Sequence, residues 1–451
     1  MQQRSAEAAA GTQQPDDLLM TILAPIAALL FSVSLLLMGI GLQGTLLPVR
    51  GNMAGFSSVD LGLLGTAYFL GFTIGCMHGT QLVRRSGHIR AYLAMTSLAS
   101  VVALLHALYV EPVAWWVLRA TSGYCFAVLY IVIESWLNAR SNNKTRGTVF
   151  SVYTAINLTV ITVGQMMLVL ADPQSFTLFA FAAILVSLAA LPIAFTGSSS
   201  PEQPESVRPR IAKLIRISPV GVAGCFAVGL ANGAFWALGP IFAQNEGFTI
   251  NEIAAFMSAV VLGGALAQWP LGSLSDRMDR RVVMVAAAAI ATLAAILLMI
   301  IDTPDKLLMV IAGAIFGAGA FPLYTLAVAH ANDFADASEA VEVSSGLLLV
   351  YGAGAAIGPL LASISREVAG APALFFFTAS VHIVLIGYVL WRMAQRMPPE
   401  PEHRIAFTEA AIAAQTVLPI EPAAIGGEPD QDPKGEPQPK TSGDPGTATI
   451  T

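Results

Sequence analysis

Charge is scarce in this chain: Asp, Glu, Lys and Arg make up 12% of its 451 residues, about half the share found in soluble globular proteins. A chain so poor in charge cannot clothe a water-facing surface of its own size. Cysteine is scarcer still. Cys76, Cys125 and Cys225 all fall inside apolar runs at no metal-like spacing, which argues for small buried side chains and against a disulfide framework or a metal site. His78, His106, His330 and His382 are dispersed and form no ligand set. No Walker loop is present, which excludes ATP drive within the chain. Nothing resembles a nucleophile–base set, so no enzyme is expected. Short alternating segments are missing too, which excludes a membrane β-barrel. The formal net charge of −6 owes much to an acidic tail, and no cofactor, metal or nucleic acid is expected as a partner.

What the chain has in abundance is apolar sequence, 55% of its residues, with a mean hydropathy of +0.68. A bilayer core takes roughly 20 apolar residues per spanning helix. Twelve runs are long enough: 20–48, 57–82, 91–110, 113–139, 148–170, 176–196, 219–243, 251–274, 282–301, 306–331, 341–364 and 373–392. The first is too long for the apolar part of a signal peptide and lacks a small-residue cleavage site, so it reads as a spanning helix. Residues 1–19 and 397–451 read as disordered ends, the latter rich in Pro, Glu, Gly and Asp. Within that tail, 405–420 is a candidate for a short interfacial helix. A polar stretch at 197–218, with three prolines and four basic residues, reads as a linker between residues 20–196 and residues 219–396.

Basic residues set the orientation, because cytoplasmic loops retain them. With the N-terminus placed inside, the Lys and Arg residues fall on the cytoplasmic side, except for Arg50, Lys306 and Arg366 outside and Arg119 within a helix. Both termini are therefore expected in the cytoplasm. One short loop runs against the pattern: Asp333, Asp336 and Glu339 make an acidic connection on the basic side. Acidic residues carry little weight in this rule, so the assignment stands.

The two halves repeat each other. At a shift of 192 residues, Pro48 meets Pro240 and GFSSVD, starting at Gly55, meets GFTINE, starting at Gly247. With two residues added, Gly123 meets Gly317, Tyr130 meets Tyr324 and Gly164 meets Gly358. Six helices separate equivalent points, so the halves share one orientation about an axis along the membrane normal. Parallel repeats with a site between them at the midplane are a transporter architecture. Ser57 and Thr249 are N-cap candidates, with Asp60 and Glu252 three residues on to close capping boxes.

The segment GSLSDRMDRR, from Gly272 to Arg281, resembles the loop signature of the major facilitator superfamily, and the resemblance extends over the whole helical region. It implies twelve transmembrane helices in two parallel six-helix bundles, an all-α membrane protein. It also implies that this loop latches the cytoplasmic side through charge pairs made in one state and broken in the other. The corresponding segment of the first half, TQLVRRSGHIR, keeps Arg85 and Arg90 but has Thr80 for the expected Gly and Arg84 for the expected Asp. Those departures resemble the bacterial YcaD-like permease branch. The gate candidates are Arg84, Arg85, Arg90, Glu134, Arg146, Asp276, Arg277, Arg280 and Arg281. Glu134, about one turn from its helix end, is expected to pair with Arg84, Arg85 or Arg146, as a gate or as a static bridge.

Arg119 lies six residues into the fourth run, roughly 9 Å deep at 1.5 Å per residue. It shares a helix face with Gly123, Phe126, Tyr130 and Glu134. The segment RATSG around it resembles the superfamily's fourth-helix motif, which implies a link to coupling or substrate; snorkelling to the outer interface is the alternative. Gln43, Asn157, Gln165, Asn232, Trp236, Gln268, Tyr324 and Tyr351 are the other cavity candidates, each equally a candidate for a helix–helix hydrogen bond. AGAAIGP, ending at Pro359, resembles the antiporter-type motif but stands in the second half. The expected function is alternating-access transport of a small organic solute by a monomer in the bacterial inner membrane. Protons are the candidate coupling ion and export the favoured direction. A non-transporting membrane receptor or assembly factor on the same fold is the alternative.

Overall fold

The computed structural model describes residues 26–141, 145–195, 210–301, 305–336, 339–370, 372–397 and 406–410. The N-terminal segment 1–19 and most of the linker and tail lie outside the described residues. Twelve helices long and apolar enough to cross a membrane run through the rest. In the first half they are α1 (Ala27–Met53), α2 (Ser58–Ser86), α3 (His88–Leu108), α4 (Pro112–Ala139), α5 (Arg146–Leu170) and α6 (Thr177–Ala194). In the second half they are α7 (Pro219–Asn245), α8 (Ile250–Arg277), α9 (Arg280–Ile300) and α10 (Lys306–Asn332), then α11 (Ala340–Ala369) and α12 (Ala373–Met393). The linker contributes one short helix, Ile211–Ile217.

Local chemistry starts these helices where the sequence marks them. Ser57 and Thr249 close capping boxes with Asp60 and Glu252 at the starts of α2 and α8. The turns before them pass through Gly55 and Gly247 at φ of 80° and 75°, a left-handed region open to glycine at no steric cost. Pro48 and Pro240 sit inside α1 and α7, so α1 runs on to Met53 rather than stopping at Pro48. In α10 the helix breaks at Phe321, where Pro322 begins the second segment, because proline lacks the N–H that would bond the preceding turn.

The repeat is visible in the packing. A side chain on Gly71 would strike the backbone of Ala120, and one on Gly263 would strike Ala314; Gly123 meets Tyr68 as Gly317 meets Val260. In each half these glycines let the second and fourth helices approach to backbone contact, a device typical of membrane helices. Gly164 against Met38 and Gly358 against Leu230 repeat it between the fifth and first helices of each half.

The halves meet through α2 against α11 and α5 against α8. One end of the molecule gathers Arg84, Arg85, Arg90, Arg277, Arg280 and Arg281 and is called the basic end. At the far end a single apolar core draws on both halves, joining Leu46, Leu61, Trp115 and Phe179 to Phe235, Ile241, Phe256 and Phe375. Toward the basic end the core divides. One part centres on Tyr92, Phe126 and Phe150, the other on Cys225, Met284 and Leu326. Hydrogen bonds between the halves follow the same plan. Asn52 donates to Gln244, its own repeat partner, at 2.9 Å, and Thr66 donates to the Ala356 carbonyl at 2.7 Å. The halves are thus fused at the far end and parted at the basic end.

Candidate functional site

Between the halves lies a cavity of about 450 Å³, within the range of pockets that hold a small organic molecule. Its walls come from α1, α2, α4 and α5 on one side and α7, α8, α10 and α11 on the other. The remaining helices α3, α6, α9 and α12 stand outside and turn Val101, Ile184, Leu293 and Val384 outward, as a lipid-facing rim requires. Arg119, Tyr130, Asn157, Gln165, Asn232, Trp236, Gln268, Tyr324 and Tyr351 all line this cavity. Gln43 does not. It is 2% exposed and stands roughly a third of a turn from the face of α1 that carries Ile40, Gly44 and Pro48, since each residue advances a helix by about 100°.

Arg119 reaches into the cavity rather than snorkelling outward. Its guanidinium lies 4.3 Å from the centre of the Tyr68 ring, a cation–π distance. Tyr68 is in turn edge-on to Phe69 at 5.3 Å, and Phe72 lies between Tyr68 and Tyr130, 6.2 Å from each ring. On the opposite wall Trp236 stacks on Phe321 at 5.6 Å and 19°, and Tyr324 lies 4.7 Å from Tyr351. The break in α10 places Phe321 there. Among the described residues lining the cavity, Arg119 is the charged one.

The gate candidates divide into two groups. Arg84, Arg85 and Arg90 are exposed at the basic end, and among the described residues neither Arg84 nor Arg85 forms an ion pair with Glu134. The reason is positional: Glu134 is fully buried in α4, while these arginines lie on the exposed surface. Arg146 opens α5, half-buried. In the second half the charges are tied to one another. Buried Arg280 meets Asp333 through two bonds, of 2.6 and 3.2 Å, and also reaches Ser275 at 3.1 Å and Asp276 at 3.4 Å. Arg281 pairs with Asp279 at 2.7 Å and donates to the Arg396 carbonyl. Arg277 is exposed. Burial, the largest influence on Asp279, raises its carboxyl, but the hydrogen bonds and charge of Arg281 outweigh it and hold the group below its ordinary value.

Those contacts also account for the acidic loop that ran against the orientation pattern. Asp333 pairs with Arg280, Glu339 with Lys213 at 2.6 Å, and Glu342 at the start of α11 with Arg210 at 2.9 Å. The partners Glu342 and Glu339 raise Arg210 and Lys213 above their ordinary values. The tail makes one further contact. Residues 406–410 turn back onto α8, where the Phe407 N–H donates to Asp276 at 2.9 Å and the Phe407 ring fills the space beside Gly272. Phe407 and Ala410 are buried, so this stretch, expected to be disordered or to lie at the membrane surface, packs on the protein instead. Sequence reasoning also missed Tyr68 and Phe321, which carry no signal beyond an aromatic in an apolar run; their roles depend on which helix they face.

Comparison with known proteins agrees with this geometry. The model of the Major Facilitator Superfamily matches residues 29–248 and 221–427. An uncharacterized MFS-type transporter of Enterobacter sp. (strain 638) is 25% identical over 377 residues, 83% of this chain and 97% of that protein. The uncharacterized MFS-type transporter YcaD of Salmonella typhi is 24% identical over 377 residues, with the same two shares. Among solved structures, a mutant of the nucleoside transporter NupG superimposes with a TM-score of 0.71 at 14% identity, over 81% of this chain and 98% of that one.

Proposed function

Since the chain belongs to the major facilitator superfamily, and is a multi-pass membrane protein of the transporter class, we propose that it carries a small organic solute by alternating access, coupled to protons and in the direction of export. One observation carries the reading: the cavity lies between two repeated halves that are fused at the far end and parted at the basic end. A binding chamber so placed is reached from one side at a time if the halves rock about it. The excess of basic residues supports placing the parted end at the cytoplasm of a bacterial inner membrane, with both termini inside. On this reading the structure is the inward-facing state.

In the opposite state the basic rims close. Arg84, Arg85, Arg90, Glu134 and Arg146 on one rim then approach Asp276, Arg277, Arg280 and Arg281 on the other. Charge-assisted pairs formed there and broken on opening would act as the latch. Glu134 supports proton coupling: it is a fully buried carboxyl on a cavity helix, one turn from Tyr130. Ionisable residues inside membrane helices are where proton relays are built.

The test is a solute panel on the purified protein, read by thermal shift, followed by flux in proteoliposomes with and without a pH gradient. A stabilising solute is expected to be carried, and the gradient is expected to drive it against its own concentration difference. A solute that binds and never crosses would replace transport by reception on the same fold. Flux indifferent to the pH gradient would remove proton coupling and leave the transport reading standing.

A further inference from the structure

We propose that the solute is an organic anion with a flat apolar or aromatic body, its carboxylate held by Arg119 and its body by the aromatic wall of the second half. The inference rests on the assignment of the cavity as the solute site, and it goes further by naming the solute's chemistry. Arg119 supplies the first argument. Its guanidinium lies over Tyr68, which engages one face of the plane and leaves the N–H edges for another partner. Among the described residues it forms no ion pair. Glu134, the buried acid on the same helix, stands fifteen positions away, about 22 Å at 1.5 Å per residue. A fixed cation in a low-dielectric chamber without an acid beside it favours a ligand that brings the negative charge, and the planar fork suits a carboxylate.

The repeat supplies the second argument, independent of the first. Tyr130 and Tyr324 are equivalent and both line the cavity, so the two walls share a ground plan. Arg119 corresponds to Gly313 and Tyr68 to Val260, so the second half offers neither cation nor stacking ring there. Trp236 corresponds to Gly44 and Phe321 to Ala127, so the first half lacks the aromatic stack. Around Gly44 there is open space, with nothing within 4 Å of where a Cβ would stand. Both walls carry aromatic rings, but the cation Arg119 stands in the first wall and the stacked Trp236–Phe321 pair in the second. An amphiphilic anion spanning the chamber can place its charge against one and its flat body against the other. A cation would find aromatic faces as well, but it would meet Arg119 as a like charge.

A matched series decides the matter: indole-3-acetate, its neutral amide indole-3-acetamide and the cation tryptamine, with benzoate and 1-naphthoate to vary the body. Binding is measured on the purified full-length protein. At least one carboxylate is expected to bind, the matched amide about 30-fold more weakly, and tryptamine not at all. Arg119→Gln should lower carboxylate affinity by about 30-fold while leaving amide affinity unchanged. Arg119→Lys should fall between, and Trp236→Ala should weaken carboxylate and amide alike. If Arg119→Gln does not fold, the wild-type series with Arg119→Lys still decides. Amide or amine binding as tight as carboxylate would overturn the proposal, as would a carboxylate indifferent to Arg119→Gln, or no carboxylate binding. Flux separates this proposal from the transport reading. An anion bound through Arg119 but never carried sinks transport alone, whereas a carried amide or amine sinks the anion alone.

Discussion

At the scale of single residues, Arg280 and Asp333 show what burial does to charge. Both side chains are 1% exposed, so their charges are balanced by neighbouring groups rather than by water. Removing one partner from such a pair costs about 3–5 kcal/mol, since the remaining charge has lost both water and counter-charge. Asp333→Ala leaves Arg280 the longer contact with Asp276 at 3.4 Å, so the expected loss lies at the low end, about 3 kcal/mol. The double variant Arg280→Met with Asp333→Leu should recover most of the loss, because it removes both charges together. Melting curves in detergent check the pair; a double variant as unstable as the single would mean that the pair is not what holds this corner. Arg119 is the contrasting case. Its charge faces a chamber rather than an acid, the setting that the proposed anion site requires.

At the scale of elements, the tail segment 406–410 gives a pH-dependent prediction. Burial, together with the nearby Asp276 carboxylate, raises the Glu409 carboxyl above its ordinary value. The docked segment therefore holds a proton at Glu409 more tightly than the free segment does. Docking strengthens as pH falls through that raised value and is weakest above it. Hydrogen exchange across 406–410, corrected for intrinsic rate, is expected to slow on acidification in the wild type. In Glu409→Gln that extra dependence should vanish. Phe407→Ala, which empties the space beside Gly272, should leave the segment unprotected at any pH.

Elements also show what the sequence makes legible. The capping boxes at Ser57 and Thr249 and the glycine contacts of α2 with α4 follow from local spacing or from the repeat, and the residues announce both. Docking of Phe407 does not, because it joins positions 131 residues apart, and an apolar residue in a polar tail looks the same whether docked or free. The same holds for Asp333, whose acidic loop looked like an exception until Arg280 stood beside it. Nine of the ten cavity candidates line the chamber, yet the sequence ties only Arg119 and Tyr130 to a counted helix face; the others, like Gln43, are polar or aromatic residues in apolar runs, and the face of Gln43 points elsewhere. Tyr68 and Phe321 were missed for the converse reason: aromatic side chains in membrane helices are ordinary until a cation or a second ring is placed against them.

At the scale of the whole molecule, alternating access makes one demand that the repeat locates. If the far end must open, then Asn52 and Gln244, repeat partners now joined at 2.9 Å, must separate in every cycle. Cys76, Cys125 and Cys225 are free, so replacing them leaves a background for two new thiols. Asn52→Cys with Gln244→Cys, joined by a short cleavable thiol cross-linker, should hold the far end shut. The chamber remains open toward the basic end, so solute affinity from that side should be kept. Net flux should fall to background and return when a reductant cuts the linker. Loss of binding together with flux would indicate damage rather than trapping. Flux that persists at full cross-linking would mean the far end need not open, and the rocking of two halves about a central chamber would not be how this protein works.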